Sequence, residues 1–582
     1  VSSFFGIKQL QNEGCAMKIM GFGGSGHDWS CCLLDNTSVV VAVDEERLTR
    51  SKYGIGSNLL QSQARLACLE AAQITPQDID YAVACDLVPL TLAAPFRRQL
   101  VRIQHHLAHA FGAFFASPFE RAAVLIADNS GSLVDRTDGF AGVERCVETL
   151  TYWHAHDWQI HPLSGIAGKH VLEATRASDY LSQVAVTDNS LGSLYWMLSE
   201  ELGFMHWAEN GSAISEDGKT MGLAAYGDDR YVDELGQYLT LCDDGQLHLS
   251  LTDGVFREHL RTLFRRGPDT SQGRLSRRAA VARAVQSMLE RALIHSAKHL
   301  RKVTNERYLV MSGGVALNCV ANTKIAQEAG FDDIFVMPAA GDNGNALGAA
   351  LYGLVALAGY RGPMDVYNQL PFLGPIHHED AFEQAAAYAV AHGAQVVECA
   401  DPFTYIATHL ADEKIIGWYE GRSEFGPRAL GHRSIISDAR PQNMKDRINK
   451  IIKQREPFRP FAPIVLEARV ETYFNFPLVA SAPFMLFVGD VRPEWQERLP
   501  AITHVDGTAR VQTIGATRYP SMHKLLQAYE QHTGLAVLLN TSFNRAGEPI
   551  VESPMDAMRC FLETELDFLV MDQRIFAKCN GS

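Results

Sequence analysis

Apolar residues along this chain come in short blocks separated by polar turns. "MKIMGFG" (17–23), "SCCLLD" (30–35) and "VVVAV" (39–43) are of strand length, and the Asp35-Asn36 pair between the last two predicts a turn. A similar opening recurs at "RAAVLIADNSGS" (121–132), an apolar strand running into polar and Gly residues. Two such openings, each followed by helical sequence, predict duplicated α/β halves. "ERYLVMSGGVALNCVANTKIAQEAG" (306–330) and "DDIFVMPAAGDNGNALGAALYGLVAL" (332–357) each read as strand, Gly-rich turn and helix. That corner recurs where α/β folds bind ligands at helix N-termini, although Gly also serves simply as a turn former. Near residue 365 the character shifts. "GYRGPMDVYNQLPFLGPIHHED" (359–380) is rich in Gly and Pro and lacks helical periodicity, which predicts a domain boundary. Beyond it "DAFEQAAAYAVAHG" reads as a helix, and "KIIGWYEG" and "GLAVLLNTSFN" as strands. The expected organisation is an N-terminal extension over 1–16, one α/β domain over 17–365 and a second over 366–582.

Composition narrows the class. A chain of 582 residues with 47% hydrophobic and 20% charged residues is that of a soluble multidomain protein with large cores. A net charge of -15 weighs against nucleic acid as a partner, because phosphate affinity rests on clustered Lys and Arg. The 11 cysteines are odd in number and form no C-x-x-C pair, which argues against a disulfide framework and fits a reducing cytoplasm. No run of 18 uncharged apolar residues predicts a membrane span. The first 16 residues lack the basic start and long apolar stretch of a signal peptide.

Within this frame "QHHLAHA" (104–110) places three of the chain's 21 histidines within five residues. On a helix His105 and His109 share a face, so they can grip one ion together; packing is the plainer reading of such a pair. Asp128 follows the apolar strand "AAVLIA", and Asp342 sits in "PAAGDNGNALG". Ligands of open α/β sheets gather beyond the carboxyl ends of strands. Two imidazoles and two carboxylates suit Fe(II), Mn, Co or Zn and leave positions open for substrate. Either carboxylate also reads as a turn or cap residue. A zincin-type protease is excluded because His106, not Glu, follows the first histidine.

A second cluster is cationic. "GRSEFGPRALGHRS" (421–434) and "KQREPFRPFAP" (453–463) bring Arg422, Arg428, Arg433, Lys453, Arg455 and Arg459 together, broken by Gly and Pro. The guanidinium fork matches phosphate oxygens, so in an acidic protein this predicts a pocket for a compact polyanion. Arg510 in "HVDGTARVQT" and Asn540 and Ser542 in "LLNTSFN" add a cation and neutral donors. The alternative is intramolecular pairing with Glu424 and Glu456.

Ten ordered strings, among them "HDWS", "DEERLTRSK", "DGKTMGLAAYG", "SGGVALNCVAN", "EFGPRALGHRSI", "REPFRPFAP" and "NTSFNRAGEPIV", resemble the O-carbamoyltransferase family of antibiotic biosynthesis and nodulation-factor modification. The resemblance runs from Met17 through both halves. It implies an actin/sugar-kinase/Hsp70-like N-terminal domain, similar to the tRNA threonylcarbamoyl-transferase, and a YrdC-like C-terminal domain. The latter would join carbamoyl phosphate to ATP, with Mg, giving carbamoyl-adenylate; the former would pass the carbamoyl group to a hydroxyl of a small natural product. The family's metal, usually iron, maps onto His105, His109, Asp128 and Asp342. At the metal aspartate this chain reads "DNSGS", with Asn129 and Ser132 where relatives commonly carry Gly and Glu.

Given that resemblance, Arg428, Lys453, Arg459 and Arg510 are assigned to a clamp on the reacting anions, with Asn540 and Ser542 donating to phosphate or carbamoyl oxygens. His27 is the candidate base for the acceptor hydroxyl, and a structural imidazole is its alternative. Lys219 and Asn318 are expected to hold the nucleotide. Acceptor loops are expected within 132–215, where aromatic and His residues hint at a flat acceptor. A labile adenylate calls for domains packed face to face around a shielded passage. The competing functions are tRNA threonylcarbamoylation, disfavoured by the net charge, and a non-catalytic actin-like nucleotide sensor, which has no use for the cation cluster. A homodimer is left open.

Overall fold

The computed structural model describes residues 17–136, 144–177, 180–207, 213–453, 456, 458–476 and 481–579. The expected extension 1–16, Arg455 and parts of the expected acceptor region therefore lie outside the described residues. β1 (Lys18–Gly23), β2 (Ser30–Asp35) and β3 (Ser38–Asp44) form an antiparallel meander. Its tight turn is made by Asn36, at φ 54°, a left-handed conformation that Asn tolerates because its short amide bonds locally. β4 (Tyr81–Cys85) and β5 (Leu100–Ile103) then add in parallel on the other side of β1, giving the order β3-β2-β1-β4-β5.

The second sheet repeats this plan. β6 (Ala122–Ala127) is followed by β7 (Leu133–Arg136), β8 (Glu144–His156), β9 (Gln159–Ala177) and β10 (Tyr180–Thr187). β6, β8 and β9 form the antiparallel part, and the strands Tyr308–Ser312 and Asp333–Val336 add in parallel beyond β6. Strand order and sense match the first sheet one for one, with β7 and β10 as additions. This is the doubled arrangement of actin- and sugar-kinase-like folds that the sequence predicts. β6 is buried along its whole length, as a strand covered on both faces must be, and its sequence is accordingly apolar throughout.

Helices occupy equivalent places in the two halves. α1 (Glu45–Thr49) and α2 (Gln63–Ala71) follow β3, and α3 (His105–Phe115) follows β5; the helix Asn345–Tyr352 follows Asp333–Val336 in the same way. The latter two pack against each other at their glycines. A Cβ on Gly348 would lie 1.9 Å from the Ala108 carbonyl oxygen, and one on Gly112 would lie 3.3 Å from the Gly348 Cα. Backbones this close are open only to Gly.

The remaining chain builds a mixed eight-stranded sheet that starts at Ala394–Val397 and has Arg433–Asp438 and Val537–Ser542 among its inner strands. Past the change of character near residue 365 the chain makes further hydrogen bonds to the first sheet. The Val39 amide donates to Gln369 and the Ala42 amide to the Leu373 carbonyl, so this stretch runs along β3 before departing. One apolar core is continuous from the second sheet into the eight-stranded sheet, and a smaller one fills the outer face of the first. Side chains lock the junction further: Asn322 donates to the Leu486 carbonyl, and Thr323 Oγ1 accepts from the Val488 amide at 2.8 Å. Among the described residues no helix is long and apolar enough to cross a membrane.

Candidate active site

α3 begins with His105 and turns once to His109, which puts both imidazoles on one buried face. Their Nε2 atoms are 3.2 Å apart. Asp128, at the carboxyl end of β6, places Oδ2 3.2 Å from His105 Nε2 and 3.3 Å from His109 Nε2. Asp342, in the turn before Asn345–Tyr352, places Oδ1 at 3.3 and 3.8 Å from the same two atoms. The four ligand atoms lie within 4.8 Å of one another. Lone pairs from two nitrogens and two carboxylates thus converge on one point, which is the donor chemistry of a divalent transition-metal site.

The outer atoms of this group support it. His109 Nδ1 is 3.2 Å from Ser312 Oγ, which leaves Nε2 as the free donor. His105 Nδ1 faces Asn345 Nδ2 at 3.3 Å while Asn345 Oδ1, buried, has no partner. Turning that amide over pairs its oxygen with Nδ1–H, an assignment the hydrogen-bond network favours. Asp128 Oδ1 accepts from the amides of Asn129 and Gly314. Ser132 caps α3 by accepting from the His105 amide at 2.8 Å and donates to Asp86. Asn129 Oδ1 accepts from Ser193. Asn129 thus lines the cavity, and Ser132 fixes the start of α3 beside it. Sequence reasoning did not find Ser312 or Asn345, because polar residues beside turns are common; only their spacing from His109 and His105 carries a signal.

Electrostatics follow from this crowding. Burial pulls the His105 imidazole down, but the Asp342 charge and hydrogen bonds to Asp128 and Asp342 outweigh it and hold the ring well above the ordinary range. Burial lifts Asp128 and Asp342, yet the two histidines hold both carboxylates well below theirs. His106, buried and facing Thr151, is pushed down to about 3 by burial and by the His105 charge, so it stays neutral and outside the ligand group. His27 sits on the loop whose Gly24 amide donates to the Asp342 carbonyl. Burial lowers its affinity for a proton, but Asp28, 2.9 Å from Nδ1, and the charges of Asp342 and Asp128 raise it to about 9.

One cavity of about 1360 Å³ joins this centre to the eight-stranded sheet. Its near end is lined by Asp128, Asp342 and His27, and its far end by Arg428, Arg459, Arg510, Asn540 and Ser542. Arg428 and Arg510 face each other without a carboxylate; their Nε atoms are buried and lack hydrogen-bond partners among the described residues. The Arg510 charge, then burial, pulls Arg428 down to about 9, and burial likewise lowers Arg510. Mutually repelling cations held in place without a counter-ion are an anion site waiting for its charge. Arg459 also faces the cavity, 3.9 Å from Glu456.

Other expected site residues line the same cavity with their polar atoms engaged. The Lys453 ammonium donates to Ser542 Oγ and to the carbonyl and side-chain oxygens of Asn544, so it braces that loop. Lys219 is neutralised by Glu216 at 2.5 Å and Glu456 at 2.8 Å. Asn318 caps the helix Cys319–Glu328 and exchanges hydrogen bonds with Gln286. Asn540 is engaged only in part: it donates to Gln512, while its Oδ1 has no partner among the described residues. Two arginines of the cationic stretch turn away from the cavity. Arg422 is spent on the carbonyls of Gly374, Val40 and Leu373, and Arg433 is fully buried 3.6 Å over the Tyr419 ring. Glu424 accepts backbone amides of Leu430, His432 and Arg433 rather than pairing with an arginine side chain.

Comparison with known proteins places two family models on this chain, Carbamoyltransferase N-terminus over residues 87–351 and Carbamoyltransferase C-terminus over residues 407–578. The nodulation protein NolNO of Sinorhizobium fredii is 35% identical over 593 aligned positions, which cover 96% of this chain and 80% of that protein. The 3'-hydroxymethylcephem-O-carbamoyltransferase of Streptomyces clavuligerus is 34% identical over 275 positions, 47% of this chain and 49% of its own length. Among solved structures, full-length HypF in its phosphate- and nucleotide-bound form is 12% identical, with a TM-score of 0.40 over 59% of this chain and 47% of that one.

Proposed function

The chain belongs to the carbamoyltransferase family, and from that premise we propose that it makes carbamoyl-adenylate from carbamoyl phosphate and ATP and transfers the carbamoyl group to a hydroxyl of a small natural product. The single cavity shared by the Arg428/Arg510 pair and the His105/His109/Asp128/Asp342 group carries this reading. The division of labour follows the boundary expected near residue 365, with adenylation on the C-terminal side and transfer on the N-terminal side.

At the basic end Arg428, Arg459 and Arg510 hold carbamoyl phosphate and the ATP phosphates together against their mutual repulsion. Water opens carbamoyl phosphate to carbamate and phosphate; a carbamate oxygen then attacks the α-phosphorus, and pyrophosphate leaves with Mg. Asn540 and Ser542 orient the oxygens, and Lys453 keeps the Ser542 and Asn544 segment in place. At the other end His105, His109, Asp128 and Asp342 would hold Fe(II) or another divalent transition metal, which supplies Lewis acidity toward a carbonyl or phosphate oxygen when bound. The acceptor hydroxyl oxygen attacks the carbamoyl carbon and AMP departs. His27 takes the hydroxyl proton on Nε2 while Asp28 holds Nδ1–H. That imidazole's hold on its proton is raised above the ordinary value, so transfer is expected to accelerate as pH rises above neutrality.

Incubation of the protein with ATP, Mg, carbamoyl phosphate and a panel of hydroxylated metabolites, read by mass for one carbamoyl group in place of a hydrogen, tests the reading. Absence of both pyrophosphate and carbamoylated product, with the metal supplied, ends it.

A further inference from the structure

The "DEERLTRSK" stretch takes no part in the chemistry above, yet it joins the two ends of the cavity. α1 starts beside Asp44, whose Oδ1 accepts from Asn343, the residue after Asp342, at 3.0 Å. One turn on, Arg47 is buried to 1% exposure and donates from Nη2 to the Gly426 carbonyl at 2.8 Å. Just past the helix, Arg50 donates to the carbonyls of Ile550 and Pro549 at 2.6 and 2.8 Å. Both acceptor segments belong to the C-terminal half and wall the cavity: 426–428 ends in Arg428, and 544–550 begins with the residue that Lys453 grips.

We propose that Arg47 is a positioning residue, which sets the 426–428 segment, and with it Arg428, against the loop that carries Asp342. Gly426 has φ 122°, and a Cβ there would fall 2.9 Å from the Pro338 carbonyl oxygen and 3.2 Å from the Ala339 Cα. The segment is thus pressed onto the strand end that leads to Asp342, and the hydrogen bond from Arg47 closes it from the other side. Packing alone does not explain this arginine. Its Nε lies 3.9 Å from Glu46 Oε1, and Nε and Nη1 have no hydrogen-bond partner among the described residues, so its guanidinium is tied down through Nη2 to Gly426. Arg47 lies outside the cavity lining. It acts through Arg428, and a reacting group misplaced by about 1 Å loses on the order of 10²-fold in rate.

The kinetic consequence rests on the adenylation reading; the structural one does not, and the experiment separates them. In the full-length protein, Arg47→Gln is expected to lower kcat for pyrophosphate release from ATP and carbamoyl phosphate by about 10–10²-fold, with KM for ATP changed far less. Arg47→Lys, which restores one donor, recovers part of that loss. Amide hydrogen exchange of peptides spanning 424–430 rises by about tenfold in Arg47→Gln, on the scale of about 1.4 kcal/mol of lost local protection. Exchange in 345–352 and metal content stay at wild-type values. Arg47→Gln protein with wild-type exchange in 424–430 and wild-type kcat overturns the proposal. If Arg47→Gln does not fold, Arg50→Ala at the partly exposed end of the same strut is the second variant. Faster exchange in 544–551 with a lower kcat supports the strut, and no change in either overturns it. Wild-type protein that releases no pyrophosphate removes the adenylation reading, and the exchange comparison still decides the role of Arg47.

Discussion

Arg428 and Arg510 illustrate what a binding group costs the protein that carries it. The Arg510 charge weakens the hold of Arg428 on its proton, burial does the same to Arg510, and among the described residues neither is paired with a carboxylate. Replacing Arg428 with Met is therefore expected to raise the melting temperature of the ligand-free protein while lowering pyrophosphate release by about 10²–10³-fold, the usual loss for one preorganised charge. Calorimetry and a pyrophosphate assay on the same preparation check both halves; a variant that melts lower would mean the repulsion is already relieved. At the other end of the cavity the residues that aim the ligands matter as much as the ligands. Ser312→Ala removes the partner of His109 Nδ1 and is expected to weaken metal affinity by about 10–100-fold in competition with a chelator. The grouping of His105, His109, Asp128 and Asp342 was legible in the sequence from the i,i+4 histidines and the two strand-end aspartates taken together with the family resemblance. Ser312 and Asn345 were not, since a serine or asparagine in a glycine-rich turn has many ordinary reasons to be there. Lys219 and Asn318 show the converse: residues in suggestive motifs whose polar atoms are taken by an ion pair and a helix cap.

At the scale of elements, the site exists because two equivalent helices meet back to back. α3 carries the histidines, and Asn345–Tyr352 starts three residues after Asp342. Gly348→Ala places a methyl 1.9 Å from the Ala108 carbonyl oxygen. It is expected to cost about 1–3 kcal/mol of stability or more and to lower metal affinity by moving α3, whereas Gly26→Ala, with open space around it, should leave stability unchanged. The helix and strand pattern of these halves was readable from apolar periodicity; the close crossing was not, because a glycine reads as a turn until its neighbour in space is known. α1 adds a pH-dependent element. Burial lifts the Asp44 carboxyl to about 7 despite Arg47 and the hydrogen bond from Asn343. A carboxyl raised above its unfolded value near 4 contributes stability that is complete below that pH and fades as pH climbs through about 7. Asp44→Asn is expected to match wild type in melting temperature near pH 4 and to exceed it by pH 8. Parallel melting curves at every pH would show that Asp44 ionises normally.

The whole molecule decides what the two ends of the cavity can do together. Charge and composition pointed to a protein that does not bind nucleic acid, and the motifs pointed to two chemistries. Their juxtaposition depends on contacts distant in sequence, such as Lys219 with Glu456 and Asn322 with Leu486, which no local pattern encodes. The Gly- and Pro-rich stretch near residue 365 reads as a break between domains, and just past it Gln369 accepts from the Val39 amide of β3. On the adenylation reading, an adenylate formed at the arginines would face the same cavity as Asp128 and Asp342. Diffusion through bulk water would expose a mixed anhydride to hydrolysis, and a short path within one cavity would limit that exposure. The expected outcome is that carbamoyl groups from isotope-labelled carbamoyl phosphate reach the acceptor undiluted when unlabelled carbamoyl-adenylate is added to the solution, with product label measured by mass. Lys219→Ala, which removes an ion pair across the cavity, is expected to let dilution begin, because the link between the two walls is loosened there. Equal dilution in wild type and variant would show that the intermediate leaves the protein before transfer, and the shared cavity would then be two independent sites in one wall.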